Sequence, residues 1–241
     1  MQKQTSPFQI ATYLMGLLVA LPFMVILLSW GEIDQEIWGH LLDYLFIDLL
    51  TNTLWLILGV GGGVLVLGTA LAWLTTMCEF PGRKIFDWAL MLPFAIPAYV
   101  LAFVMLDLFS YGGPIYNGFQ TFFGGMISPP DIQSTGGVIT VFVLVFYPYV
   151  YMLARTAFAS QGNSLLEAGQ SLGLTPSQAF LRIALPMARP AIAAGVALAL
   201  METLADFGAV SIFNYDTFTL AIYTSWDDFR SLSTAAQLSS L

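Results

Sequence analysis

Charged residues vanish from this chain in long stretches, and those stretches set its elements. Residues 10–30, 49–78, 88–106 and 132–154 carry no Asp, Glu, Lys or Arg. A fifth apolar run opens at 190–201 and continues to about residue 213 through Glu202 and Asp206. A bilayer core of roughly 30 Å is crossed by about 20 apolar helical residues. The pattern therefore predicts an all-α integral membrane protein with five complete spans in one transmembrane domain over 1–241. Residues 234–241 turn partly apolar again (Ala235, Ala236, Leu238, Leu241). They read as the start of a sixth span that eight residues cannot complete.

Composition supports the membrane reading and removes whole classes of function. The chain is 58% hydrophobic and 9% charged, against about 25% charged in an ordinary soluble domain. Seven basic and 15 acidic residues give a net charge of −8, which argues against nucleic acid as a partner. The single cysteine, Cys78, excludes an internal disulfide or a cysteine metal cluster, and the single histidine, His40, a His-rich metal site. Neither lysine, Lys3 nor Lys84, stands in a GxxxxGK[ST] loop, so the chain has no P-loop of its own. No catalytic residue, cofactor or resident metal is expected. The absence of a G-x-S-x-G elbow argues further against a membrane-embedded enzyme.

Basic residues set the orientation. With the N-terminus inside, the inner segments hold Lys3, Arg83, Lys84, Arg155, Arg182 and Arg189, and Arg230 alone falls outside. The first span follows Lys3 as a signal peptide would, but it is long for one. Its exit, Ser29-Trp30-Gly31-Glu32, lacks a small-residue cleavage site, so an uncleaved anchor is favoured. In the first outer segment Ile37, Leu41, Leu45 and Leu49 recur every four residues, which predicts an amphipathic helix along the membrane interface. Span two holds Gly59, Gly61, Gly62, Gly63 and Gly68. Position 64 is valine, so the nucleotide-binding GxGxxG pattern fails, and close helix packing through Gly59 and Gly63 is the reading. Pro93 and Pro97 each remove a hydrogen bond from span three and predict a kink, for gating or for shape alone. Residues 111–137, rich in Gly and Pro, read as an irregular outer loop.

The inner segment 155–189 carries the strongest signal. Ser164-Leu165-Leu166-Glu167 fits a capping box opening a short helix to about Leu172, stopped by Gly173. Thr175-Pro176-Ser177-Gln178 is a second capping box with proline at the first helical position. Its helix is expected to reach Leu185, with Pro186 marking the exit. Leu165, Leu166 and Leu172 either meet a docking partner or pack back on the protein's own spans.

These residues resemble a known family. Glu167-Ala168-Gly169, Gly173 and Ile183-x-Leu185-Pro186 are similar to the EAA loop of ABC-importer permeases, with Gly169 where alanine is usual. Phe80-Pro81-Gly82-Arg83, the stretch from Leu92 to Val100, and Ala205-Asp206-Phe207-Gly208 resemble the ferric-iron branch of these permeases. So does Asp216-Thr217-Phe218-Thr219 with Ile222, Tyr223 and Trp226. The resemblance implies a type I ABC-importer transmembrane domain in the bacterial inner membrane, with 155–189 as its cytoplasmic coupling loop. It also implies ABC ATPase subunits as partners, a periplasmic or surface-tethered substrate-binding protein, and a second permease half fused to this one. Membrane lipid is the remaining partner. Thiamine, sulfate, polyamine and phosphonate permeases share the loop, so the implied iron substrate has rivals. A secondary transporter without an ATPase is the alternative from another class.

Glu202 and Asp206 stand four apart, which predicts one shared helix face. A charge at mid-bilayer costs about 2.5–3.5 kcal/mol, so such residues face a bundle interior or a water-filled path. The two acids line a cation path, or they sit near the outer exit, solvated or paired. Asp107 reads as an interfacial charge.

Overall fold

The computed structural model describes the backbone of residues 7–124, 129–171 and 173–240, with all their side chains but those of 7, 163–168 and 170. Every regular element among them is helical. Helix α1 covers Pro7–Ser29 and α2 covers Gln35–Met77, with a π-turn at Leu41–Leu45. Helices α3 (Arg83–Ala89), α4 (Ala98–Phe109) and α5 (Pro114–Phe122) follow. Helix α6 covers Thr135–Ser171 and α7 covers Pro176–Ala205, the latter with a π-turn at Phe180–Ala184. The short α8 (Gly208–Ile212), α9 (Phe218–Asp227) and α10 (Leu232–Leu238) complete the order. Five stretches are long and apolar enough to cross a membrane: Phe8–Ser29, Gln35–Met77, Ala98–Phe122, Thr135–Gly162 and Pro176–Ala205.

The chain packs as two compact units. One draws on the described residues of Met1–Thr51 and Asp216–Leu241. Its core is Leu41, Leu49, Ala221 and Leu238, flanked by Ile37, Trp38, Leu45, Phe218 and Ile222. The stripe Ile37, Leu41, Leu45 and Leu49 is thus packed against α9 and α10. It is the opening of α2 rather than a separate helix. The fully buried Gln237 closes this unit: its Nε2 donates to the carbonyls of Ser29 (2.6 Å) and Glu32 (3.0 Å), and its Oε1 accepts from the Trp38 indole N–H. A buried amide is tolerable only when its donors and acceptor are used in this way.

The second unit, Asn52–Tyr215, is built around α6. Val138, Phe142, Val150, Tyr151, Ala154 and Phe158 on this helix are at most 1% exposed. Glycines let its neighbours approach. Gly59 and Gly63 of α2 face Ile139 and Val143, as the glycine spacing predicts. A Cβ on Gly68 would stand 2.7 Å from Val150 Cβ and 2.9 Å from the Tyr147 carbonyl. From α7, a Cβ on Gly195 would stand 2.7 Å from Val150 Cα and 3.0 Å from the Tyr149 carbonyl. Two helices therefore close on one turn of α6, each through a residue without a side chain.

Span three departs from its expected form as one helix over 88–106. Around Pro93 and Pro97 the chain is a 3-10 turn, Leu92–Ala95, between α3 and α4. Met91 N–H reaches only Trp88 O, and Phe94 N–H only Met91 O, which leaves the carbonyls of Asp87 and Leu90 without their helical partners. Helix α6 supplies them: Tyr151 Oη donates to Asp87 O at 3.0 Å and Tyr147 Oη to Leu90 O at 2.8 Å. One turn further on, Arg155 pairs with the Asp87 carboxylate, Nε to Oδ1 and Nη2 to Oδ2, both at 2.5 Å. An apolar environment makes an orphaned carbonyl costly. Tyr151→Phe is accordingly expected to cost about 1–3 kcal/mol, the desolvation penalty of a buried unpaired acceptor. Thermal unfolding in detergent checks this, with exposed Tyr111→Phe as the neutral control.

Residues 111–137 also differ from expectation. Within them Gly113 and Pro114 start α5, a two-turn helix carrying Tyr116, Phe119 and Phe122. Proline at the first helical position is preset for a helix start, a role that its loop-forming reputation hides.

Candidate functional site

The segment singled out by its capping signals is a helical hairpin continuous with two spans. Helix α6 breaks at Gly162, whose φ of 69° and ψ of 164° suit glycine alone. The backbone is helical again to Ser171, so the first arm is the distal end of α6. The side chains of the first capping box, Ser164 to Glu167, and of Ala168 lie outside the described residues, as does Leu172. Gly173 has φ +89°, and Leu174 N–H bonds to Gly169 O at 3.1 Å. This is the six-to-one bond of a Schellman stop. The second capping box forms as its spacing predicts: Gln178 N–H donates to Thr175 Oγ1 at 3.3 Å, and Thr175 N–H to Gln178 Oε1 at 3.1 Å.

The helix it opens does not leave at Pro186. It passes through the π-turn Phe180–Ala184 and continues as α7 to Ala205. Leu185 N–H bonds back to Phe180 O, five residues away, and the widened turn makes room for the proline ring that follows. The fifth span therefore begins inside the hairpin.

Motif residues far apart in sequence meet here. Gly169 is buried, and a Cβ on it would stand 2.8 Å from Ile183 Cδ1 and 3.5 Å from Leu174 Cδ1. The glycine at the usual alanine position lets the two arms close on Ile183. Gln161 Nε2 donates to Ala184 O at 3.1 Å across the base of the hairpin. Phe180 packs on Trp73 of α2 (4.4 Å between ring centroids) and on Phe158 of α6 (6.2 Å). Hairpin, α2, α6 and α7 thus share one aromatic junction.

The acids of the fifth span are placed differently from expectation. Glu202 lies on α7, exposed, beside the Tyr149 hydroxyl. Asp206 is off the helix. Its ψ of 116° ends α7, and its Oδ1 accepts the Ala209 N–H at 2.7 Å to cap α8. The two therefore do not share a helix face. The sequence signal for this was Asp206 three residues before Ala209, a cap spacing competing with a helical one. Among the described residues no three His, Cys, Asp or Glu side chains gather closely enough to hold a metal ion.

Sequence reading missed the ladder Tyr147, Tyr151 and Arg155. Its four-residue spacing on an otherwise apolar helix was the available signal.

Over residues 64–238 the chain matches the family described as binding-protein-dependent transport system inner membrane component. The chain belongs to this family. Such a protein is a membrane component of a transport system rather than a catalytic enzyme. With five candidate spans, this member is a multi-pass inner-membrane protein.

Among its relatives, an Fe(3+)-transport system permease protein of Haemophilus influenzae is 32% identical over 232 residues, 95% of this chain and 41% of that protein. A sulfate transport system permease protein of Escherichia coli is 34% identical over 60% of this chain and 50% of its own length. The chain spans about half the length of these relatives or less. Two crystal structures of a bacterial ABC transporter that imports the acidic polysaccharide alginate share the fold. One has TM-score 0.73 at 18% identity, covering 97% of this chain and 86% of that chain. The other, in complex with an alginate-bound periplasmic protein, has TM-score 0.75 at 18% identity, covering 97% and 88%.

Proposed function

We propose that this chain is the transmembrane permease part of an ATP-driven, binding-protein-dependent importer. The hairpin at residues 162–185 is then the surface on which an ABC ATPase subunit docks. The observation that supports the reading is the hairpin itself: the capping box at Thr175, the Schellman stop at Gly173 and the seat of Gly169 on Ile183 make it one braced unit. That unit is continuous with α6 and α7. In this reading ATPase closure moves the hairpin as a rigid lever, and the shared aromatic junction passes the motion to the spans. The N-terminus is cytoplasmic, which puts the hairpin on the ATPase side. A second permease half completes the pathway, and a substrate-binding protein delivers to the acidic outer face.

Ferric iron is the favoured cargo. The iron-permease relative aligns with 95% of this chain and the sulfate permease with 60%, and the carboxylate of Glu202 suits a cation better than an oxyanion. Glu202 would line the path. Asp206, with one oxygen committed to a cap, would stand at its outer end.

The test is uptake by the full transporter in proteoliposomes supplied with its binding protein. Iron uptake that needs internal ATP and the ATPase subunit, and that falls in Glu202→Gln, supports the reading. Uptake driven by an ion gradient without any ATPase subunit would overturn it. ATP-dependent uptake of sulfate in place of iron would overturn the choice of cargo alone.

A further inference from the structure

Where α3 meets α2 and α6, a cavity of about 340 Å³ is lined by Thr75, Thr76, Arg83, Lys84, Asp87 and Arg155. Its size is at the lower end of small-ligand sites, which run to about 300–1,000 Å³. The lining holds three cations and one anion. Both carboxylate oxygens of Asp87 are taken by Arg155. Arg83 donates Nε to Thr75 O (2.5 Å) and Nη2 to Thr76 O (2.7 Å), which caps the end of α2 and leaves its charge without a carboxylate. Lys84 is exposed, and among the described residues neither it nor Arg83 is paired with an acid. Two cations without a carboxylate, beside the Asp87–Arg155 pair, give this cavity the charge that a phosphate pairs with.

The surroundings select the source of that phosphate. On the same short helix Ile85 is 62% exposed and Trp88 55%, with Phe86 and, on α2, Leu74 also exposed. Apolar side chains bare on either side of a basic cavity suit acyl chains, and an exposed tryptophan suits the interfacial level of a bilayer. We propose that this cavity binds the phosphate of an anionic phospholipid of the inner leaflet. Its chains lie over Ile85, Phe86 and Trp88. The inner-leaflet assignment rests on the orientation proposed above, whereas the binding chemistry does not. The consequence is that an annular lipid braces the junction of α2, the unwound span and the Asp87–Arg155 pair.

The experiment uses the full transporter in nanodiscs of phosphatidylcholine with increasing phosphatidylglycerol, and reads retained lipid by native mass spectrometry. Wild type is expected to retain phosphatidylglycerol over phosphatidylcholine. Lys84→Gln should weaken that retention about fivefold, the worth of one basic residue at an anionic membrane surface. Lys84→Arg should preserve it. Arg83 is left intact because it caps α2. Equal retention by Lys84→Gln overturns the proposal. Displacement of the lipid by millimolar inorganic phosphate overturns it in favour of a free anion. A loss of ATPase association with retention unchanged overturns it in favour of a protein partner.

Orientation is read separately. A membrane-impermeant amine reagent, with peptide mapping of Lys84, should label from the inner side only. Outer labelling would refute the inner-leaflet assignment and leave the lipid result standing.

Discussion

Gly195→Leu is expected to leave little folded transporter in the membrane. The position faces α6 backbone, with Val150 Cα and the Tyr149 carbonyl where a side chain would start. Overpacking a core that can shift its side chains costs about 1–3 kcal/mol. Here backbone atoms stand in the way and Gly68 holds α6 from another helix, so the cost lies at or above the top of that range. The measurement is the yield and melting temperature of detergent-purified protein. Gly62→Ala is the control, because its added Cβ meets nothing within 4 Å. It should stay within about 0.5 kcal/mol of wild type. A normal melt for Gly195→Leu would mean that α6 and α7 do not pack as described.

Glu167→Lys is expected to leave the protein folded and inserted while releasing the ATPase subunit. If Glu167 is a docking carboxylate, reversing its charge costs at least about 2 kcal/mol, roughly thirtyfold in binding. Iron uptake should fall in step. Thr175→Ala, which removes the second capping box, should cost about 1 kcal/mol of hairpin stability and have the milder effect on association. Co-purification of the ATPase subunit with each variant, beside uptake, separates the two. Undiminished association and transport in Glu167→Lys would remove the coupling role.

What could be read along the chain was whatever depends on composition and local spacing. Charge-free runs of about 20 residues locate apolar helices because a helix of that length crosses a bilayer with its backbone bonds made internally, and the stop at Gly173 and the cap at Thr175 are properties of a few consecutive residues. Packing of Gly59 and Gly63 was legible for the same reason. What escaped depends on partners distant in sequence. The stripe Ile37, Leu41, Leu45 and Leu49 gave its helix, but only α9 and α10 show that it is buried in the protein. Pro93 and Pro97 announced a kink. That the α-helix gives way there to a 3-10 turn depends on Tyr147 and Tyr151, which donate to its loose carbonyls from 57 and 64 residues away. Pro186 looked like an exit because a π-turn cannot be seen in a sequence, and Asp206 looked helical because two spacings were compatible with it.

Docking of an ATPase subunit requires the hairpin to lie on the cytoplasmic side. Ser177, exposed on its second arm, can be made the sole cysteine of residues 1–241 by Ser177→Cys in a Cys78→Ser background, with any cysteine elsewhere in the transporter replaced by serine. In sealed right-side-out vesicles containing the full transporter, a membrane-impermeant maleimide should leave that cysteine unmodified until the membrane is permeabilised, after which it should label fully. Full labelling before permeabilisation would place the hairpin outside the cell and contradict the account.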